Sequence, residues 1–367
     1  MTSGADLSTL PELPGVLSAQ EAADSARHLA ALQRGNGMIP WFHGGHCDPW
    51  NHVESAMAMS VCGLLDESEA AYDWLAATQL GDGSWFNYYQ GGFIKDPRID
   101  TNTCAYVATG VWHHYCVTGD RGFLERRFDM VARALDFVLR FQLADGTIRW
   151  SVDATGRPEP YALLTGSSSI YHALRCGVSA AEELGAARPH WELAAGRLGH
   201  AIAHHPGSFA PKNEFAMDWY YPVLCGALEG PAGHRRLDMG MATFVMAGRG
   251  VRCVSTSDWV TAAETAECAM ALDALGRRDE ALEVLGRTTA HRREDGSYFT
   301  GIAYPELATF PGGEITSYTA AAVVLAADAL SSTSAAAGLF RGERLAPALD
   351  LPAVRCRGAA SATCTAR

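Results

Sequence analysis

From Ser18 to about Leu330 the chain alternates between two kinds of helix-length segment. The stretches 51–65, 101–117, 164–184, 215–229, 261–275 and 315–330 are small or apolar on nearly every side, with Ala, Gly, Ser or Cys at spacings that let helices approach closely. The stretches 18–33, 68–79, 123–142, 189–205, 232–246 and 278–292 are amphipathic, sharing Arg and Glu with Leu and Ala. A helix apolar all round needs cover on every flank, so it belongs inside, with an amphipathic neighbour behind it. Six outer-inner hairpins result, and antiparallel hairpins of this kind close into a ring. The pattern predicts an all-α fold, an (α/α)6 toroid over residues 18–331. Residues 1–17 read as a lead-in, and 332–367 as a tail with little core role.

A local unit recurs within this rhythm. Gln79-Leu-Gly-Asp-Gly-Ser-Trp85 ends one helix, turns at a glycine and folds a tryptophan back. Gln142-Leu-Ala-Asp-Gly146 repeats it, and Arg293-Glu-Asp-Gly296-Ser-Tyr298 does so more weakly. A repeated unit constrains the fold more than any single residue does.

Composition narrows the function classes. A formal charge of −12 with no basic stripe argues against a nucleic-acid partner. The start, MTSGADLSTLPELPG, lacks the basic and apolar regions of a signal peptide. The longest apolar run, Ala320 to Leu330, is broken by Asp328 and too short to span a bilayer. Ten scattered cysteines without Cys-x-x-Cys read as free, mostly buried thiols, although Cys356 and Cys364 could pair. The expected setting is the cytoplasm, and the expected partner is a small-molecule substrate.

If the inner helices run the same way, their N-terminal ends and the long loops before them share one mouth. Those loops hold most of the unusual polar and aromatic residues. The first, His46-Cys47-Asp48-Pro-Trp50-Asn51-His52-Val-Glu54, concentrates acid–base groups and potential zinc ligands, but adjacent residues rarely aim at one ion. There Asp48 or Asn51 reads as a cap, Glu54 as a catalytic candidate, and Trp50 and His52 as substrate contacts. The second mouth offers Asp96, Arg98, Asp100 and Asn102; Asp100 is either a helix cap or a general acid whose pKa a deep pit would raise.

The third mouth holds Trp150, Glu159, Tyr161 and Ser167 to Ser169, without a nucleophile elbow. The fourth holds Glu214 and Asp218, expected on one face of a helix start beside Trp219, Tyr220 and Tyr221. The fifth runs from Arg252 through Trp259 to Glu264 and Glu267, two carboxylates inside an Ala- and Thr-rich helix, with Arg252 as their expected partner. The last brings Tyr304, Glu306, Glu314 and Tyr318. The catalytic candidates are Asp100, Glu264, Asp218 and Glu54. Carboxylates and aromatic rings at every mouth describe a binding cavity in a small-molecule enzyme. No metal is required, and zinc or magnesium stays open.

With the repeat and Asp100 in view, the chain resembles the terpenoid cyclase and protein prenyltransferase superfamily, whose toroids carry QW repeats. In its cyclase branch an Asp-x-Asp-Asp motif holds the protonating acid in its middle position, and Arg98-Ile-Asp100-Thr keeps only that middle Asp. The zinc ligands of the prenyltransferase branch and an Asp-Asp-x-x-Asp for magnesium are not matched here. The resemblance implies acid–base chemistry on an isoprenoid, with Asp100 as acid. The chain also looks like the six-hairpin glycosidases and related lyases, in which aromatic faces stack on sugars and two carboxylates do the chemistry. Local sequence favours the first resemblance, the polarity of the mouth loops the second. A non-catalytic binding toroid is a third possibility.

Overall fold

A computed structural model describes residues 7–349. Among these residues, twelve α-helices follow one another: α1 (Ala19–Leu32), α2 (Pro49–Val61), α3 (Leu65–Thr78), α4 (Thr101–Thr118), α5 (Arg121–Leu139), α6 (Leu164–Glu183), α7 (Pro189–His204), α8 (Ala216–Leu224), α9 (Gly230–Phe244), α10 (Ala262–Ala274), α11 (Arg278–Gly286) and α12 (Ser317–Ser331). The even-numbered helices form the inner ring. Each packs on the next, and α12 packs back on α2, so the ring closes. Nearly every residue of α2, α6 and α12 is buried, as segments without a polar face must be. None of the helices is long and apolar enough to cross a membrane.

The recurring Gln-x-x-x-Gly unit is a clamp between hairpins. The Gln79 side-chain amide donates to the carbonyl of Gly83 (2.9 Å) and to that of Met130 on α5 (2.9 Å). Gly83 has φ of +100°, and a Cβ there would lie 2.2 Å from the Arg133 carbonyl oxygen, so only glycine lets the turn press against α5. Trp85 is fully buried and its indole N–H returns to the Leu75 carbonyl (2.9 Å). Gln142 makes the same pair of bonds, to Gly146 (3.1 Å) and to Ala194 on α7 (2.9 Å). A further clamp joins Gln33 to Gly37 (3.1 Å) and to Glu67 on α3 (2.8 Å). The weaker copy docks on α1, where Ser25 donates to the Gly296 carbonyl (2.9 Å).

The expectation of a wholly helical chain needs correction, because the mouth loops form strands. A hairpin of β1 (Tyr88–Gln90) and β2 (Phe93–Asp96) precedes a short antiparallel pair, β3 (Ile99–Asp100) with β4 (Ser151–Val152). A five-stranded antiparallel meander follows: β5 (Val245–Met246), β6 (Gly250–Arg252), β7 (Trp259–Thr261), β8 (Phe299–Ala303) and β9 (Ala308–Ile315). Its register sets Val260 opposite Ile302 and Gly301 opposite Phe310. Strands of two to five residues are too short to display alternation, and only β9 is longer. The fourth inner helix is also shorter than expected: Leu224 ends it, two residues beyond Pro222.

The described residues 10–17 and 336–346 take more part than a lead-in and a tail would. Leu10, Leu13 and Leu17 are buried against the core. Beyond α12, Ala336, Leu339 and Ala346 are buried and Phe340 stacks face to face on His172 (4.6 Å). Trp112 of α4 donates to the Arg344 carbonyl (3.0 Å), and Ala346 N–H donates to Ser179 of α6 (2.7 Å). These partners sit in the C-terminal halves of inner helices, so the segment closes the end of the barrel opposite the mouth. All eight described cysteines are free thiols, and Cys356 and Cys364 lie outside the described residues.

Candidate active site

The N-terminal ends of the inner helices converge, and two of them are capped alike. Asp48 caps α2, one carboxylate oxygen accepting the Asn51 N–H (3.0 Å) and the other the Trp41 indole N–H (2.6 Å). Asp100 caps α4, one oxygen accepting the N–H groups of Asn102 (2.8 Å) and Thr103 (3.3 Å), the other the Trp150 indole N–H (2.5 Å). Burial raises the pKa of both against these hydrogen bonds. Asp100 reaches about 6, with the charge of Asp48 adding to the push. In Asp100 the helix cap and the raised acid are not alternatives but coexist in one side chain.

Aromatic rings wall this part of the mouth. Trp41 lies 4.4 Å from His46, 5.4 Å from Tyr318 and 6.2 Å from Tyr88, and Trp150 stacks on Tyr161 at 5.7 Å. Tyr318 stands in the first turn of α12, between α10 and α2 in the ring, and feels the charge of Glu264. Glu264 stands in the first turn of α10, partly exposed, with the Cys253 thiol on its carboxylate. It lacks the backbone and indole donors that hold Asp48 and Asp100.

Below the mouth lies a second acidic layer. Glu54 stands six residues after Asp48, about 9 Å further down α2 at 1.5 Å per residue, and takes the Tyr106 hydroxyl. Glu267 takes the hydroxyls of Tyr220 and Tyr221, the latter at 2.7 Å. Burial pushes Glu54 up to about 7 and Glu267 up to about 8, each opposed by its tyrosine bonds, and the charge of Glu54 raises Glu267 further. Between them is an internal cavity with about 20 Å³ of space for water, floored by Phe340 and Leu325. That is room for about one water molecule.

Several expected contacts have other roles. His52 is fully buried, its ring bonded to Ile39 N–H (3.1 Å) and facing the Ala71 carbonyl (2.9 Å), so it is a core residue. Trp219 donates to backbone carbonyls of α9 and stacks on Phe244, and Tyr220 is wholly internal. Glu214 and Asp218 share no helix face, because α8 begins at Ala216 and Glu214 is exposed in the loop before it. Asp218 accepts both the N–H (3.3 Å) and hydroxyl (2.6 Å) of Thr165, tying α8 to the start of α6.

Arg252 pairs with Asp258 (3.0 Å) and not with Glu264 or Glu267. Asp96 is held at about 2 by Arg98, which keeps it ionised and unfit to donate a proton. Trp259 and Glu314 stand on the five-stranded sheet, and Tyr304 in the turn joining β8 to β9. The loop His46 to Glu54, with its potential zinc ligands, does not gather its side chains: Asp48 caps a helix and His52 serves the core. Among the described residues no group of three or more His, Cys, Asp and Glu could hold a metal ion.

Sequence reasoning passed over Trp41, Tyr88 and the paired role of Asp48. Among polar groups in the first turns it named Trp50, Asn102 and Ser167 but missed Thr261 and Ser317. Trp50 Nε1, Asn102 Oδ1, Ser167 Oγ, Thr261 Oγ1 and Ser317 Oγ are buried at or next to the starts of inner helices and find no partner within the protein. Unpaired buried polar groups are costly, and a ring of them is a poor lining for a hydrocarbon.

No family model matches the sequence. The chain is 48% identical over 347 residues to the MMP endo-(1,4)-3-O-methyl-alpha-D-mannosidase of Mycolicibacterium hassiacum, covering 95% of this chain and 94% of that protein. Among solved structures it resembles a glycosidase (TM-score 0.68, 14% identity, 91% of this chain and all of that one). It also resembles the cellobiose 2-epimerase of Spirochaeta thermophila (TM-score 0.64, 14% identity, 86% of this chain and 97% of that one). At such identities these two likenesses speak for the toroid alone. The expectation of an isoprenoid enzyme is overturned by the near-full-length mannosidase relative, and the QW-like unit that suggested it is a clamp between helices. The chain belongs to the glycosidase family of the Mycolicibacterium hassiacum endomannosidase.

Proposed function

We propose that this protein is an endo-acting glycoside hydrolase that cuts internal α-1,4 linkages in a chain of 3-O-methylated mannose. The observation that carries the reading is the 48% identity to such an enzyme over 95% of the chain. The mouth supports it with aromatic walls for pyranose faces, polar side chains at the helix starts, and carboxylates on both sides of Tyr318.

In the chemistry we infer, the Asp48–Asp100 pair holds a proton to higher pH than a free carboxylate does, because burial and their mutual repulsion disfavour two charges. That proton passes to the glycosidic oxygen as its bond to the anomeric carbon breaks. Glu264 accepts a proton from the water whose oxygen forms the new bond to that carbon. Trp41 and Trp150 hold the two aspartates in place, and Trp41 and Tyr88 offer ring faces to the sugar.

Purified protein incubated with α-1,4-linked 3-O-methylmannose oligosaccharides, with products resolved by chromatography, tests the reading. Fragments of intermediate length are expected from the first time points. Release of monosaccharide alone, or no release at all, would refute endo-hydrolysis of this substrate.

A further inference from the structure

The five-stranded sheet has no part in that chemistry, yet it stands on the rim of the mouth. β7 runs without a break into α10, four residues separating Trp259 from Glu264, and β9 leads into α12. The Trp259 ring lies across Gly301 of β8, where a Cβ would come within 2.0 Å of the indole nitrogen. Its N–H donates to the Phe310 carbonyl (3.1 Å), and the Phe310 ring meets it edge-on at 5.2 Å. In the turn between β8 and β9, Tyr304 carries the Arg249 guanidinium 4.6 Å from its ring centre. Leu307 is 61% exposed and Phe310 51% exposed. Exposed apolar side chains gathered beside a mouth mark a contact site more often than chance.

Resting on the endo-hydrolase reading, we propose that Trp259, Phe310, Tyr304 and Leu307 form an outlying subsite that holds mannose units of the polymer beyond those at the cleavage point. An enzyme that cuts inside a chain must accommodate sugar on both sides of the broken bond. The sheet offers a path continuous with the mouth, because β7 ends where the helix bearing Glu264 begins. The C–H face of a pyranose and the methyl of a 3-O-methyl ether are both apolar, which matches flat rings with a leucine beside them better than it matches a polar groove. The continuity with the mouth favours the sugar chain as occupant over a second protein.

The test compares oligosaccharides of α-1,4-linked 3-O-methylmannose, from the shortest that is cleaved to chains of ten or more units. The enzymes are wild type, Phe310→Ala, Leu307→Ser and Phe310→Tyr. Phe310 and Leu307 are exposed, so the variants fold, which a melting curve checks. For Phe310→Ala and Leu307→Ser the expected result is KM raised about tenfold on long chains, equivalent to about 1.4 kcal/mol, with the shortest substrate and kcat unchanged. Phe310→Tyr, which keeps the ring, restores the long-chain KM. An equal effect at every chain length, no effect at any, or a change only in oligomeric state would overturn the subsite. Wild-type protein inert on every chain overturns the mannosidase reading itself and this inference with it.

Discussion

Asp48 and Asp100 occupy the same chemical setting one hairpin apart: each caps an inner helix through one carboxylate oxygen and receives an indole N–H, from Trp41 or Trp150, on the other. The helix end and the indole both favour the ionised form, and burial favours the neutral one. Burial wins for both, which leaves a pair poised to hold and release one proton. The geometry that ends a loop and starts a helix is therefore also the geometry that tunes the acid.

Removing one indole donor should shift this balance in a known direction. In Trp150→Phe, Asp100 loses a hydrogen bond that stabilises its charged form, so its pKa rises and it stays protonated to higher pH. A hydrogen bond to a charged group is worth about 1.5 kcal/mol or more, which corresponds to about one pH unit. The alkaline limb of the pH profile of kcat/KM should move up by about that amount, and Trp41→Phe should move it the same way. A limb that stays in place, or moves down, would separate the aspartates from the rate.

Neutralising the carboxylates should abolish turnover without unfolding the protein. Asp100→Asn and Glu264→Gln are each expected to lower kcat by about 10²- to 10⁴-fold. Asn is as good an N-cap as Asp, so the α4 end should survive in Asp100→Asn with at most about 1 kcal/mol lost. Circular dichroism and a melting curve on the same samples distinguish loss of chemistry from loss of fold. Undiminished kcat in Glu264→Gln would remove it from the proton path.

The Gln clamps are predicted to be stabilising and catalytically silent. Gln79→Ala leaves the Gly83 and Met130 carbonyls without their donor. Two such bonds with partial burial should cost about 2–3 kcal/mol. Gln79→Glu should be at least as harmful at neutral pH, since a carboxylate cannot donate. The midpoint of urea unfolding should fall for both while kcat stays within about twofold. A midpoint unchanged in Gln79→Ala would show that solvent replaces the amide at no cost.

The ring was legible because burial on all sides leaves an unmistakable pattern: segments such as Val53 to Leu64 have no polar face to turn outward. Asp100 and Glu264 were legible as charges beside apolar helix starts. Asp48 was harder to see, since its neighbours His46, Cys47 and His52 suggested a metal cluster and its tryptophan partner lies seven residues upstream. The clamp at Gln33 escaped notice because its turn is Asn36-Gly37, where the recognised copies all carry Asp-Gly. The strands were invisible, as Val245–Met246 and Trp259–Thr261 are too brief to show a period and acquire their partners only in space. The isoprenoid expectation failed for a physical reason: Gln79, Gly83 and Trp85 serve the packing of helices, which any substrate of a toroid enzyme would share.

The buried layer beneath the mouth makes stability depend on pH. Glu54 and Glu267 titrate at about 7 and about 8 in the folded protein, against 4.5 when exposed. Between about pH 5 and pH 7 the folded state therefore binds more protons than the unfolded chain, so stability falls as pH rises. Each fully coupled group contributes a slope of about 1.4 kcal/mol per pH unit, and the slope flattens above the folded pKa. Tyr106, Tyr220 and Tyr221 donate to these carboxylates and moderate the loss without reversing it. Urea unfolding at pH 5, 6.5 and 8 should show the wild type weakening across the series. Glu267→Gln keeps an oxygen for the tyrosine hydroxyls and carries no charge, so its curve should be flatter and cross above the wild type near neutral pH. If Glu267→Gln kept the wild-type slope, the proton held beneath the mouth would belong to another group.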